Sequence, residues 1–206
     1  MDNTEGSRAQ IIFTVRKNQE LRLNSRQAQI LAGTIVGDAY IYPKGKIQIE
    51  HSTKEWDYVY WKYAELKSLA YGKPSLVQRY DKRTGKTYKS LRFWLRQYFK
   101  PLRKKFYPKG KKIFPKDFDP LDFNSLSLAV LFMDDGSYSR DMCVISLDAL
   151  SAECRNRFTY LLSNRFGLRA RISSNGKICF YSGSRERLID IISPYVIPSL
   201  EYKLVP

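Results

Sequence analysis

The stretch Leu31-Ala32-Gly33-Thr34-Ile35-Val36-Gly37-Asp38-Ala39 is written a second time, in altered form, as Leu128-Ala129-Val130-Leu131-Phe132-Met133-Asp134-Asp135-Gly136. Both copies are apolar runs of helical character that close on an acid, a small residue and then an aromatic-bearing segment. Asp135 follows Asp38 by 97 positions in a chain of 206, close to half its length. Two related halves, each ending one helix in a carboxylate, suggest a two-fold arrangement that brings two acids together.

Working outward, Ser25 is placed to cap a helix from Arg26 to about Asp38. Gly33 and Gly37 stand four apart on it and form a shallow groove that another helix can enter. The second helix starts near Asn124 or Ser125 and is apolar almost all round, so it should be buried. Strand-like sequence follows each acid. In the first half, Tyr40-Ile41-Tyr42, a Pro43-Lys44-Gly45 turn and Lys46 to Glu50 read as a hairpin. In the second, Tyr138 leads through Arg140-Asp141 to Cys143 and on to Leu147. Helices are expected from Thr53 to Ala70 and from Ser151 to Phe166, the latter stopped by Gly167. Further hairpins pair Ser75–Tyr80 with Thr87–Phe93 across Thr84-Gly85, and Leu168–Ser173 with Lys177–Tyr181 across Asn175-Gly176. Each half closes on a helix, Trp94 to Lys105 and Arg185 to Tyr195.

The fold class is therefore α+β, a pseudo-two-fold duplication of an α-β-β-α-β-β-α unit. Residues 1–24 form an N-terminal extension, 25–105 the first half, 106–120 a basic linker rich in Pro, Gly and Lys, and 121–206 the second half. Each half is too small to be comfortable alone, so the two should pack on each other.

Charge narrows the function. The formal net charge is +16. Residues 1–112 hold 25 Lys and Arg against 9 Asp and Glu, whereas residues 113–206 hold 11 of each. A basic surface confined to one part, interleaved with 15 Tyr and 3 Trp, favours a polyanion such as nucleic acid. The 3 cysteines, Cys143, Cys154 and Cys179, lack the short spacings of a zinc or redox site and read as plain thiols. His51 is the single histidine, which removes Ser-His-Asp and Cys-His chemistry as leading options. Catalysis would then rest on carboxylates, lysines, arginines and metal. No apolar run approaches the ~18 residues that cross a bilayer, and the acidic start lacks the order of a secretory signal.

The two motif copies resemble the LAGLIDADG homing endonucleases in their single-chain, two-motif form. Leu31 to Ala39 matches the family signature at its first three letters and its acid; Leu128 to Gly136 matches at Leu128-Ala129 and at Asp134, Asp135 and Gly136. Val130 stands where the signature has glycine, which would loosen close helix packing, and Val36-Gly37 replaces its acid-and-small pair. The resemblance implies that the motif helices pair where the halves meet, and that two antiparallel sheets form a DNA-binding saddle. It also implies that Asp38 and Asp135 bind Mg²⁺ (or Mn²⁺), helped by the peptide oxygens of Gly37 and Asp134. The expected product is a double-strand break with short 3′ overhangs, made across the minor groove. Of the neighbours Asp134 and Asp135, which point about 100° apart on a helix, the alignment selects Asp135; Asp134 is then a supporting or solvated acid.

Gln48 and Lys177 are the further candidate catalytic groups, with Ser146 the approximate counterpart of Gln48 and Arg92 that of Lys177. Expected DNA contacts are Lys44, Lys46, Gln48, Arg79, Lys82, Arg83, Lys86, Lys89, Arg92, Arg140, Arg169, Arg171 and Lys177. His51 reads as a DNA-facing or solvent residue. The leading reading is a monomeric, site-specific, metal-dependent DNA endonuclease. Its rivals are an intron-splicing maturase of the same fold, whose partner is intron RNA, and an inactive DNA-binding module. Length and the lack of a Cys or Ser start favour a free-standing, intron-encoded protein over an intein. No membrane partner is expected. The location is intracellular, in a mitochondrion or plastid if organelle-encoded as in many relatives.

Overall fold

The computed structural model describes residues 11–15, 19–118, 123–139 and 142–204. Within the N-terminal extension, β1 (Ile11–Val15) and β2 (Gln19–Leu23) pair antiparallel and lead into α1 (Ser25–Val36). The cap of α1 is Asn24, not Ser25: its side chain accepts from the Gln27 N–H while the Gln27 side chain reaches back, a closed capping box. Ser25 becomes the first helical residue. The helix stops at Val36, with the Gly37 N–H closing on Gly33 O.

The first half then runs β3 (Tyr40–Ile41), β4 (Ile47–Ser52), α2 (Trp56–Glu65), β5 (Ser75–Asp81), β6 (Lys86–Leu95) and α3 (Lys100–Phe106). The second runs α4 (Ser125–Asp135), β7 (Gly136–Ser139), β8 (Met142–Ile145), α5 (Ala152–Phe166), β9 (Ala170–Ile172), β10 (Ile178–Phe180) and α6 (Ser182–Ile192). The sheets have matching strand order, β3-β4-β6-β5 and β7-β8-β10-β9, with every pairing antiparallel. The chain is thus the duplicated α+β unit expected from its two motifs.

Three expected helices end elsewhere. The helix expected from Trp94 to Lys105 does not begin at Trp94, because Trp94 and Leu95 extend β6, pairing with Gln48 and Ile47. A neighbouring strand captures them, and α3 starts only at Lys100, with Pro101 in its first turn where no N–H is needed. The helix expected from Thr53 to Ala70 is a 3-10 turn, then α2, then another 3-10 turn at Lys67–Leu69. The last helix begins three residues before Arg185 and passes into a 3-10 turn at Ser193–Tyr195.

Alternation sorts each sheet into two faces. On the first, Ile41, Ile47, Ile49, Phe93 and Leu95 are buried against the helices. Tyr40, Gln48, Glu50, Ser90, Arg92, Trp94 and Arg79 share the opposite, outward face by register. The outer hairpins are unequal. β5 and β6 run to 7 and 10 residues, against 3 each for β9 and β10.

The motif helices α1 and α4 pack together at the centre. Leu126 to Met133 is buried throughout, as the all-round apolar pattern requires. Val130, in place of the signature glycine, does not loosen the crossing. It lies against Gly33 of α1, where an added Cβ would collide with the Val130 side chain and the Ser127 backbone. One glycine at the crossing supplies the room. The Ser127 hydroxyl donates to Gln29 O at 2.9 Å across the same contact.

Between the halves, Phe106, Tyr107 and Phe114 are buried, and the Phe114 ring packs edge-on to Phe158 at 5.4 Å. The basic run is held against the second half by its aromatic residues. The close crossing makes a prediction. Gly33→Ala should cost about 1–3 kcal/mol by overpacking, read as a lower midpoint in urea unfolding; an unchanged midpoint would contradict the crossing.

Candidate active site

Both motif acids stand at the ends of the crossing helices. Asp38 follows the Gly37 cap of α1, and Asp135 is the last residue of α4. Asp38 keeps 43% of its side chain exposed. It opens onto a recess in the outward sheet face lined by Gln48, Glu50, His51, Ser52, Glu55, Arg79 and Ser90. Burial, followed by the charges of Asp38 and Asp134, pushes the Asp135 carboxyl up to about 7. Asp38 is raised as well, by burial and then by Asp134, against the pull of Lys62 and Lys112. Such groups are ionised at a cost that a cation would remove.

Asp134 has a different fate. Its side chain is fully buried in an ion pair with Lys62, 2.6 Å from Asp134 Oδ1 to Nζ. The Tyr58 hydroxyl donates to the same oxygen at 2.7 Å, and the Asp38 N–H donates to Asp134 Oδ2 at 3.4 Å. Tyr58 and Lys62 stand one turn apart on α2 and face the same way. Burial alone would raise this carboxyl; the Lys62 charge and the hydrogen bonds from Lys62 and Tyr58 outweigh it and hold Asp134 below the ordinary range. Gly37 leaves room for the arrangement, since a Cβ there would strike the Asp134 carboxylate. Asp134 is therefore an interior anchor and not a solvated acid.

His51 also departs from expectation. It lies on the inward face of β4, only 7% exposed, because its neighbours Glu50 and Ser52 take the outward face. Lys62 Nζ approaches His51 Nε2 at 3.1 Å, while Nδ1 faces Asp38 Oδ2 at 3.5 Å and Glu55 Oε2 at 3.7 Å. Burial and then the Lys62 charge push the imidazole down to about 3, so it is neutral at physiological pH. Asp38, His51 and Asp134 form a group with metal-ligand spacing. The Lys62 ammonium already supplies a cation on the Asp134 side of it.

Two lysines overlooked in the sequence reach the helix ends. Lys112, from the run between the halves, donates to the Gly37 carbonyl, the oxygen assigned to metal by resemblance. Burial lowers its ammonium, and Asp135, Asp38 and Asp134 pull the other way. Lys203 donates to Met133 O at 2.5 Å at the end of the other motif helix. Lys112 is one of several lysines in its run, and nothing local distinguishes it; only the folded chain brings it inward.

Of the other candidates, Gln48 lines the Asp38 recess, accepts from the Tyr42 hydroxyl at 3.0 Å and donates to Glu50 at 2.9 Å. Ser146 donates its N–H to Asp135 O at 2.9 Å. Lys177 is half-buried just before β10, and Lys62 and Lys112 are the cations that weigh most on the two motif acids. Lys44, Arg79, Lys82, Arg83, Lys86, Lys89, Arg169 and Arg171 are exposed. Lys46 lies over the Trp94 ring at 3.8 Å, and Arg92 pairs with Glu50 at 2.6 Å. Register puts Lys89, opposite Gln78, on the face away from Arg79 and Arg92. Arg140 lies outside the described residues.

The profile of the LAGLIDADG DNA endonuclease family matches residues 28–187. The chain belongs to this family. Its fold is similar to that of the homing endonuclease I-WcaI bound to its DNA recognition sequence, with a TM-score of 0.78, 24% identity, and 89% of this chain and 87% of that one covered. Among curated proteins it is similar to cytochrome b mRNA maturase bI2 of Saccharomyces cerevisiae, 29% identical over 88% of this chain and 48% of the maturase. It is also similar to protein RecA of Mycolicibacterium flavescens, 25% identical over 90% of this chain and 48% of that protein. The chain spans about half the length of the curated relatives it matches. Among the described residues no helix is long and apolar enough to cross a membrane.

The raised Asp135 carboxyl yields a prediction for the metal-free LAGLIDADG chain. An acid whose value is higher folded than unfolded destabilises the fold once ionised; the cost grows above about pH 4 and is complete above pH 7. In EDTA, Asp135→Asn should melt a few degrees above the wild type at pH 8, the gap closing as pH falls to 4. Equal melting temperatures at pH 8 would contradict the buried, charge-crowded site.

Proposed function

We propose that the chain is a site-specific DNA endonuclease that cuts both strands with a divalent metal held by Asp38 and Asp135. The observation that carries this reading is the placement of two acids, one per half, at the ends of crossing helices where each is costly to ionise without a cation. The donor set fits Mg²⁺ or Mn²⁺, since it offers carboxylate and peptide oxygens and few of them. Asp38 and Asp135 would hold the ion, with the Gly37 and Asp134 carbonyls as neighbouring oxygens. Such a metal supplies an activated water and neutralises charge on the attacked phosphate.

The chain's own residues divide the remaining work. Arg79, Lys86 and Arg92 on the first sheet, and Arg169, Arg171 and Lys177 on the second, hold the two arms of a duplex by phosphate and base contacts. Lys112, a buried-edge ammonium beside both acids, places positive charge where the phosphate charge increases. Gln48, which lines the Asp38 recess with its amide held between Tyr42 and Glu50, would help orient water there. Asp134 fixes the Asp38 peptide and so sets where that carboxylate stands. The protein acts as a monomer, since both acids come from one chain.

The likeness to the yeast maturase supports a second reading, in which intron RNA is the partner and an organelle the setting. Both acids are retained, and RNA binding has no need of them, which favours cutting. The test is to incubate the protein with Mg²⁺ and a randomised duplex library and sequence the ends. Paired ends at a recurring sequence are expected, lost in Asp38→Asn and Asp135→Asn while gel-shift binding survives. Full cutting by both variants would refute the assignment, and binding of structured RNA without any ends would favour the maturase.

A further inference from the structure

In the centre of the outward first-sheet face, Glu50 is enclosed by two arginines. Glu50 accepts from Arg79 through Nη1 at 2.5 Å and Nη2 at 3.0 Å, from Arg92 Nε at 2.6 Å, from the Ser90 hydroxyl at 2.5 Å and from Gln48 Nε2 at 2.9 Å. Cross-strand register explains the convergence, because Glu50 lies directly opposite Arg92 on β6, with Ser90 and Arg79 beside it on the same face. An acid at the middle of a phosphate-binding surface weakens general attraction for DNA, so its presence calls for another account.

The geometry points to Glu50 as a specificity-determining residue that fixes Arg79 and Arg92 for reading bases, with Arg92 directed at the guanine of one G·C pair. This rests on the DNA-binding reading above. Arg92 is tied to Glu50 through Nε alone, so its two terminal nitrogens have no acceptor among the described residues. Its guanidinium lies 5.5 Å from the Trp94 ring centroid, and its side chain is only 21% exposed. A guanidinium held from behind and below presents a planar two-donor fork, which matches O6 and N7 of guanine in the major groove. Holding it in place before binding removes the ordering cost that a free arginine would bear. The carboxylate remains ionised throughout, since the hydrogen bonds from Arg79, Ser90 and Arg92 overcome burial and hold it at about 2.

The second sheet has no such clamp among its described residues. Counting from the motif acids, Val144 and Cys179 stand where the first sheet has Gln48 and Trp94, and Ser146 and Lys177 take the places of Glu50 and Arg92, so a cation is there without an acid to hold it. Discrimination should therefore be lopsided, strictest in the half-site under the first sheet and close to the Asp38 recess, which Glu50 and Arg79 also line.

The experiment selects duplexes bound by the full chain from a random library in EDTA, where cutting is arrested, and sequences the bound pool. Wild type should show one strongly preferred G·C pair in one half-site. Glu50→Gln should relax that preference roughly five- to hundredfold, the range lost with one bidentate base contact, while binding unselected DNA as well or better. Arg92→Lys keeps the charge and the strand but lacks the fork, and should relax the same pair; it carries the test if Glu50→Gln fails to fold by circular dichroism. Unchanged preference in the folded variants overturns the clamp and leaves the DNA reading intact. A wild-type pool with no preference at all overturns both.

Discussion

Asp134 is where the two halves are tied together electrostatically. Its carboxylate comes from the second motif helix, yet its partners Lys62, Tyr58 and the Asp38 N–H all belong to the first half. Removing one member of a buried pair leaves an uncompensated charge and costs about 3–5 kcal/mol, so the register of one helix end against the other is strongly held. The glycines at 33 and 37 make the approach possible. Without that contact the position of Asp38 relative to Asp135 would be left to loop conformation.

Three carboxylates within one small region would repel, and the protein answers each differently. Asp134 is neutralised permanently by Lys62. Asp38 and Asp135 are left raised, with Lys112 close enough to moderate them. Glu50, farther along the sheet, is enclosed by arginines and stays ionised. The result is one structural anion, one clamp for cations, and two acids with unmet demand for positive charge. On the Asp38 side that demand opens onto the sheet face that carries Arg79 and Arg92.

Much of this was legible before folding. The motif acids announced helix ends by position, the Thr84-Gly85 and Asn175-Gly176 dipeptides marked hairpins whose glycines take the positive φ such turns need, and the all-apolar run from Leu126 to Met133 could only be interior. What failed depended on partners distant in sequence. Trp94 and Leu95 have helix-compatible neighbours, but β4 claims them. His51 alternates inward only because β4 has the register it has. Asp134 read as either a supporting or a solvated acid because nothing nearby foretells a lysine from α2, and Lys112 looked like any other linker charge.

The account's central claim is that Asp38 and Asp135 together form a cation site. Manganese uptake by the full chain at pH 8, followed by electron paramagnetic resonance, tests it most directly. The account predicts that bound Mn²⁺ is lost in the Asp38→Asn, Asp135→Asn double variant while its fold and its Lys62–Asp134 pair persist. Equal Mn²⁺ binding by wild type and double variant would contradict it.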